Sequence, residues 1–356
     1  MFVALRDIRF AKGRFALMGA VVTLITTLVV FLYGLTGGLA AAASSTVAGL
    51  PADRIVFGAP AGAAPTVSFG NSTVSAEQQA VFAAAPGVRA AHPLGVSLTR
   101  LTTADAATPV SVLGSPAELL PPLRRGSAPQ DGQLAVGADT ARTYHLEVGA
   151  RVGLGPSALT VAAITEERSF SHAPTVWTTV ATWERISGQS RPTALALSGA
   201  PADAAGLDRA ESTTTVPTAD ALAGINGYAA EQGSLQLIQG FLFAVSALVV
   251  GAFFTVWTVQ RRPDIAVLKA VGASSGYLVR DALAQAAAVL LGGALLGGAA
   301  GGAGGLLASA AVPFEVGPAT VAVPVAAMIL LGLAGAALAV RRITSVDPLA
   351  ALGASR

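Results

Sequence analysis

Charged and apolar positions divide this chain into long blocks. Four stretches contain no Asp, Glu, Lys or Arg: 15–52, 232–260, 282–314 and 316–340. A helix needs about 20 apolar residues to cross the hydrocarbon core of a bilayer, and each stretch supplies them. Spans are predicted near 16–40, 235–259, 281–307 and 320–340. Between the first two lies 45–230, where charge returns and the pattern shortens. "DRIVFG", "GVSLTRL", "TPVSVLG", "LTVAAIT" and "TALALS" are β-branched or alternating runs that read as strands. Ser75 is placed to cap "SAEQQAVFAAA", and "TVATWERISG" has helical spacing. The stretch 59–73, rich in Ala, Gly, Pro and Ser, reads as a loop. The expected fold is four transmembrane α-helices with a mixed α/β domain between helices 1 and 2.

Composition agrees. The hydrophobic fraction is 53% and the charged fraction 12%, against roughly 25% charge in a soluble domain. There is no cysteine, which excludes disulfides and thiolate metal sites. A net charge of +2 gives no strong field for nucleic acid, so no nucleic-acid partner is expected.

Where the charges sit sets the orientation. Arg6, Arg9, Lys12 and Arg14 precede the first span, Arg261, Arg262 and Lys269 lie between the second and third, and Arg341 and Arg342 follow the fourth. The 308–319 connection has no Lys or Arg. Basic residues flank spans on the cytoplasmic side, so both termini are expected there and 45–230 outside, in a multi-pass plasma-membrane protein. The expected division is an amphipathic cytoplasmic helix at 1–14, span 1 at 15–44, and the extracellular domain at 45–230. Span 2 follows at 231–259, then a cytoplasmic helix at 260–277 and span 3 at 278–307. An outer loop at 308–319, span 4 at 320–340 and a cytoplasmic tail at 341–356 complete it. The first apolar run exceeds the 7–15-residue core of a secretory signal, so an uncleaved span is expected. The basic, apolar segment 1–14 reads as an anchor on membrane lipid.

The segment "RRPDIAVLKAVGAS", 261–274, is charged but lies between two apolar blocks. Pro263 suits the first turn of a helix, Asp264 its positive end, and Ile265, Leu268 and either Val267 or Val271 give an apolar side. Gly272 can close the helix, and Ser274 or Ser275 can cap the next. A short helix across the cytoplasmic face is predicted.

These residues resemble the signature of FtsX/MacB-type ABC transporter permeases, approximately RR-x-E-I-A-x-L-R-A-x-G-A-S. Asp264 stands for the usual acidic residue and Lys269 for the usual Arg. Arg280 matches a further family Arg, whereas Gln285 stands where Glu is common. "RRITSVDPLAALG", 341–353, resembles the family's carboxy-terminal segment, and "AVGADTARTYHLEVGARVGLG" its outer-domain run of helix, Gly turn and strand. The resemblance implies a homodimer of permeases served by two copies of a cytoplasmic ABC ATPase, which binds ATP and Mg. It assigns ATPase coupling to Arg262, Asp264, Ile265, Leu268 and Lys269. This chain has no G-x-x-x-x-G-K-[ST] loop, so it is expected to be no enzyme and to have no cofactor of its own.

Small residues suggest packing faces. Gly293, Gly297, Gly301 and Gly305 recur every four residues in the third span, and such faces let helix backbones approach closely in lipid. The fourth span of the same chain is the expected partner. Gly34 and Gly38 in the first span have the same spacing, and the family's dimer geometry makes them a candidate dimer contact.

Catalytic and metal constellations are not found. His92, His145 and His172 lie far apart in sequence, and Glu166 and Glu167 are adjacent and point to different faces; all read as solvated or structural. For substrate, "GYAAEQGSLQLIQGF" carries more information. Glu231 is the last acid before a long uncharged helix, and Gln232, Gln236 and Gln239 share one face behind it. Ionisable and polar groups near membrane depth are costly and mark pathways. The four-span build and "LPADRIVFG" resemble the heme-exporting, HrtB-type permeases within the family. That resemblance implies heme as transported ligand, with Glu231 and Tyr228 as oxygen donors, Gln232 and Gln236 beside them, and Glu315 as a weaker candidate. Two other readings stand beside it: a mechanotransmitter that activates an extracellular hydrolase, and export of a peptide, lipid or antibiotic.

Overall fold

A computed structural model describes residues 12–60, 62–260 and 262–341. The expected amphipathic helix at 1–14 and the tail 341–356 fall almost wholly outside these residues, as do Arg261 and the side chains of Arg262, Asp264 and Ile265. The chain forms two compact units. One comprises 39–233; the other joins the residues up to 38 with those from 234 onward.

Four helices are long and apolar enough to cross a membrane. They run Lys12–Ala48, Tyr228–Gln260, Ser275–Ala308 and Pro318–Arg341. The first is longer than its sequence pattern suggested. Its 37 residues span about 55 Å at 1.5 Å each, against roughly 30 Å of hydrocarbon. "AAAASSTVA" contains no helix breaker, so the helix continues until Gly49 and Pro51 stop it. Its last turns, from residue 39, belong to the α/β unit.

The glycine face of the third helix packs against the first helix, and the expectation that it meets the fourth is corrected. A Cβ on Gly297 would lie 2.7 Å from Thr26 Cβ and 3.1 Å from the backbone nitrogen of Thr27. One on Gly301 would meet Val30 at 2.9 Å. Thr27 Oγ1 donates to the Gly297 carbonyl at 3.2 Å across this contact. The fourth helix takes the neighbouring face, where a Cβ on Gly298 would meet Val325 at 2.6 Å. Both contacts need glycine because the opposing atoms are backbone or β-branched and cannot swing away. Gly297→Ala is therefore expected to cost about 1–3 kcal/mol by overpacking. Gly292→Ala on the same helix, where a Cβ meets nothing, is expected to leave stability unchanged or raise it. Thermal unfolding of the two variants in detergent compares them.

Gly34 and Gly38 are likewise occupied inside the chain. Gly34 faces the Phe314 ring and Gly38 the backbone of Pro313 and Phe314, and Phe314 also packs on Phe31 at 5.3 Å between ring centroids. The expectation of a dimer contact at these two glycines is revised accordingly, because their missing side chains make room for the 313–315 loop. Gln285 is buried in the bundle and donates its amide to Asp281 Oδ2 at 2.9 Å, one turn away.

The α/β unit is built on an eleven-stranded mixed sheet. Its strands are β1 (Arg54–Gly58), β2 (Val88–Thr102), β3 (Ala107–Gly114), β4 (Leu123–Gly126), β5 (Gln133–Gly137), β6 (Arg151–Leu154), β7 (Ser157–Thr165), β8 (Ser169–Phe170), β9 (Ala173–Thr178), β10 (Ala194–Gly199) and β11 (Thr213–Pro217). The order is β11-β1-β10-β2-β3-β9-β5-β7-β4, with β6 against β2 and β7, and β8 against β9. The β3/β9 and β5/β7 pairs are parallel; the others are antiparallel. Every strand run read from the sequence falls on an observed strand. Ser75 closes a capping box with Gln78 at the start of Ala76–Ala84. Thr179 caps Val180–Ser187, and Gly188 ends that helix with φ 70°. Trp183 on this helix lies over Gly95 and Gly114, which are bare because the indole occupies the space of their side chains. Glu167, read as structural, caps the helix Ala138–Thr143. It accepts the backbone N–H groups of Asp139 at 2.8 Å and Thr140 at 3.1 Å.

Candidate substrate site

The second membrane helix begins at Tyr228, and Glu231 lies in its first turn. A carboxylate is favoured there by the helix dipole, so position alone leaves Glu231 a capping role. The structure adds a partner. His172 Nε2 lies 2.9 Å from Glu231 Oε2, with both side chains partly open to solvent, 46% and 27% respectively. Both residues belong to the α/β unit. An ionised carboxylate only accepts hydrogen bonds, so the imidazole donates its Nε2–H.

What holds His172 there is a hairpin tip. Strands β8 and β9 pair Phe170 with Ala173, which leaves Ser171 and His172 as a two-residue turn. Both have positive φ, 51° and 62°. That geometry matches the type I′ turn, whose preferred sequence is Asn-Gly. An L-residue other than glycine in the left-handed region costs roughly 1–2 kcal/mol. The turn is held by the end of the first helix: Ser171 N–H donates to the Ala43 carbonyl at 2.8 Å, and His172 N–H to the Ala42 carbonyl at 3.1 Å. Thr46 and Thr175 hydroxyls meet at 2.6 Å nearby, and Ser45 Oγ accepts the Ser169 N–H at 2.8 Å. The hairpin is thus fastened along the last two turns of that helix.

The other expected substrate residues are placed as follows. Tyr228 is half-buried and packs against the apolar core of the α/β unit. Gln232 follows Glu231, and its amide nitrogen is buried without a hydrogen-bond partner. Gln236 is exposed one turn further along the same helix, and Gln239 is half-buried. Glu315 lies in the membrane unit. Its N–H donates to the Gly34 carbonyl at 2.9 Å, and its carboxylate rests against Gly37. The backbone of Glu315 thus ties the loop to the first helix, while the residue itself is exposed. His92 is in β2 and His145 follows the helix Ala138–Thr143, so the structure does not bring the three histidines together. Among the described residues, no group of three or more His, Cys, Asp or Glu could hold a metal ion.

A half-open cavity of about 510 Å³ lies in the same unit. Its wall includes Ser171, Asn226, Arg191, Ser97 and the rings of Phe69 and Phe170. It therefore borders the hairpin tip that presents His172. Sequence reading passed over both features. His172 is 59 residues from Glu231, and Ser-His is not one of the dipeptides that mark a two-residue hairpin turn.

The predicted short helix is present as Arg262–Ala270. Gly272 takes φ 103°, and Ala273 N–H bonds the Leu268 carbonyl at 2.9 Å, a Schellman closure. Ser274, of the two expected candidates, caps the third membrane helix through the Tyr277 N–H. Ala266 is the buried anchor at 3% exposure. Val267, Leu268 and Val271 are exposed at 55%, 39% and 84%, so an apolar face is left uncovered by the described residues. Lys269 is half-buried.

Residues 237–348 match the family model described as FtsX-like permease C-terminal. The chain is 29% identical over 374 residues to an uncharacterized ABC transporter permease of Mycobacterium tuberculosis, covering 99% of each. It is 25% identical over 361 residues to a Staphylococcus haemolyticus protein named as the hemin transport system permease HrtB, again covering 99% of each. Among solved structures, the periplasmic region of MacB from Actinobacillus actinomycetemcomitans aligns with TM-score 0.39 and 10% identity. That alignment covers 49% of this chain and 92% of that one.

Proposed function

We propose that this chain, an FtsX-type ABC transporter permease, exports heme from the membrane using work supplied by a separate cytoplasmic ATPase. The observation that carries the reading is the Glu231–His172 pair at the head of an otherwise uncharged membrane helix. Heme is an amphiphile that partitions into lipid, and ferric iron accepts a hard oxygen donor. Glu231 offers one where the chain enters the apolar phase. The Oε1 atom is available for iron while Oε2 is held by the imidazole. Similarity to a protein named as a hemin transport permease supports the choice of cargo.

In this reading the chain works as a homodimer with two ATPase copies. A two-fold axis then brings two Glu231 side chains toward one cargo site, and Tyr228, Gln232 and Gln236 flank it. The α/β domain faces outward and the termini inward, in keeping with the basic residues at 261–269 and 341–342 and the 308–319 connection, which has no Lys or Arg. ATP and Mg are bound by the ATPase, whose closure is passed to the membrane helices through Arg262–Ala270. The test is titration of heme into the purified permease–ATPase complex. A saturable change in the heme absorption bands is expected, together with heme-stimulated ATP hydrolysis. An unchanged spectrum and unstimulated hydrolysis overturn heme as cargo and leave the permease to be matched with a peptide, lipid or outer hydrolase.

A further inference from the structure

We infer that His172 is the positioning residue of this site: it holds Glu231 by one oxygen and aims the other at the cargo iron. The inference rests on the reading that Glu231 ligates heme, and it names a residue which that reading does not require.

Three observations carry it. The first is the contact itself, Nε2 to Oε2 at 2.9 Å. Because the carboxylate can only accept, the Nε2 proton is committed to it. The imidazole is therefore not the iron ligand through that nitrogen. A charge-assisted bond to one oxygen restricts the orientations open to the carboxylate, and hydrogen-bonded outer partners of this kind set the geometry and strength of metal ligands.

The second is the conformation of the turn. Ser171 and His172 both occupy the left-handed region without being glycine. Strain of this kind collects at functional sites, where the surroundings over-determine it. Here the surroundings are the Ala42 and Ala43 carbonyls. A turn selected only for stability would carry Asn-Gly; this one carries an imidazole instead. The third is exposure. Neither side chain is sealed in the core, so a ligand can approach the pair from solvent.

Heme titration of the assembled complex tests the inference with four variants. His172→Leu removes the donor and is expected to weaken heme binding about 10–100-fold and to shift the absorption bands. His172→Gln, whose amide nitrogen can reach the same carboxylate oxygen, is expected to recover most of the affinity and the wild-type spectrum. The double variant Ser171→Asn with His172→Gly is expected to melt at a higher temperature than wild type while binding heme as weakly as His172→Leu. That split separates positioning from a structural role, which would lower the melting temperature. Glu231→Gln keeps the shape of the carboxylate and loses its charge, and it is expected to lose the spectrum.

Wild-type spectrum and affinity in His172→Leu overturn the inference while leaving heme as cargo intact. Loss in both His172→Leu and His172→Gln, with a retained spectrum in Glu231→Gln, also overturns it, because the imidazole is then itself the ligand. A wild-type complex that binds no heme removes the functional reading and this inference with it.

Discussion

Glu231→Ala is expected to abolish the absorption change on adding heme to the assembled complex and to leave cells expressing the variant heme-sensitive. The argument is one of donor supply at the right place. The chain has no cysteine, and Glu231 is the acid in the first turn of the second membrane helix. Removing Glu231 deletes the proposed ligand and leaves His172 without its carboxylate partner. Neither the fold of the helix nor the hairpin depends on the carboxylate, because the helix continues through 33 residues and the hairpin is tied to Ala42 and Ala43. Basal ATP hydrolysis should therefore persist in the variant. An unchanged spectrum assigns the iron to another donor, and Tyr228, one turn earlier on the same helix, is the next to test.

On the proposed function, Leu268→Asp is expected to leave the chain folded and membrane-bound but to uncouple it from the partner ATPase. Leu268 is exposed within the chain, with Val267 and Val271 beside it. In the proposed coupling role, these three exposed aliphatic side chains on and just after a short helix anchored by Ala266 offer a docking face, which an apolar partner groove would bury. A carboxylate placed in such a contact without a partner costs several kcal/mol, and each 1.4 kcal/mol is tenfold in affinity. Co-purification of the ATPase is expected to fall by about 100-fold or more, and heme-stimulated hydrolysis with it. Because Leu268 contributes little to the chain's own core, the melting temperature is expected to stay near wild type. Normal co-purification with normal stimulation would show that this helix is not the coupling element.

The distribution of charge along the chain was enough to locate the four membrane helices, the interposed α/β domain and the short helix at 262–270. Each of these rests on information held within a few turns of backbone. Span length is a count of apolar residues, and helix ends depend on Pro263, Gly272 and Ser274 acting on their immediate neighbours. Glu231 was visible for the same reason, as the last charge before an uncharged helix. The end of the first helix at Ala48 was less legible, because an alanine-rich run satisfies both a membrane span and a helix in water.

Tertiary structure decided the rest. Spacing showed that Gly293, Gly297 and Gly301 share a face but not that the first helix fills it, since any close helix would require the same glycines. Gly34 and Gly38 looked like an external contact because nothing local announced that Phe314 would fold back onto them. His172 carried no signal at all: its meeting with Glu231 depends on a strained hairpin tip fastened to carbonyls more than a hundred residues away in the chain. Local patterns record which surfaces a segment must bury. The partner that buries them, and the side chain that arrives with it, are properties of the assembled fold.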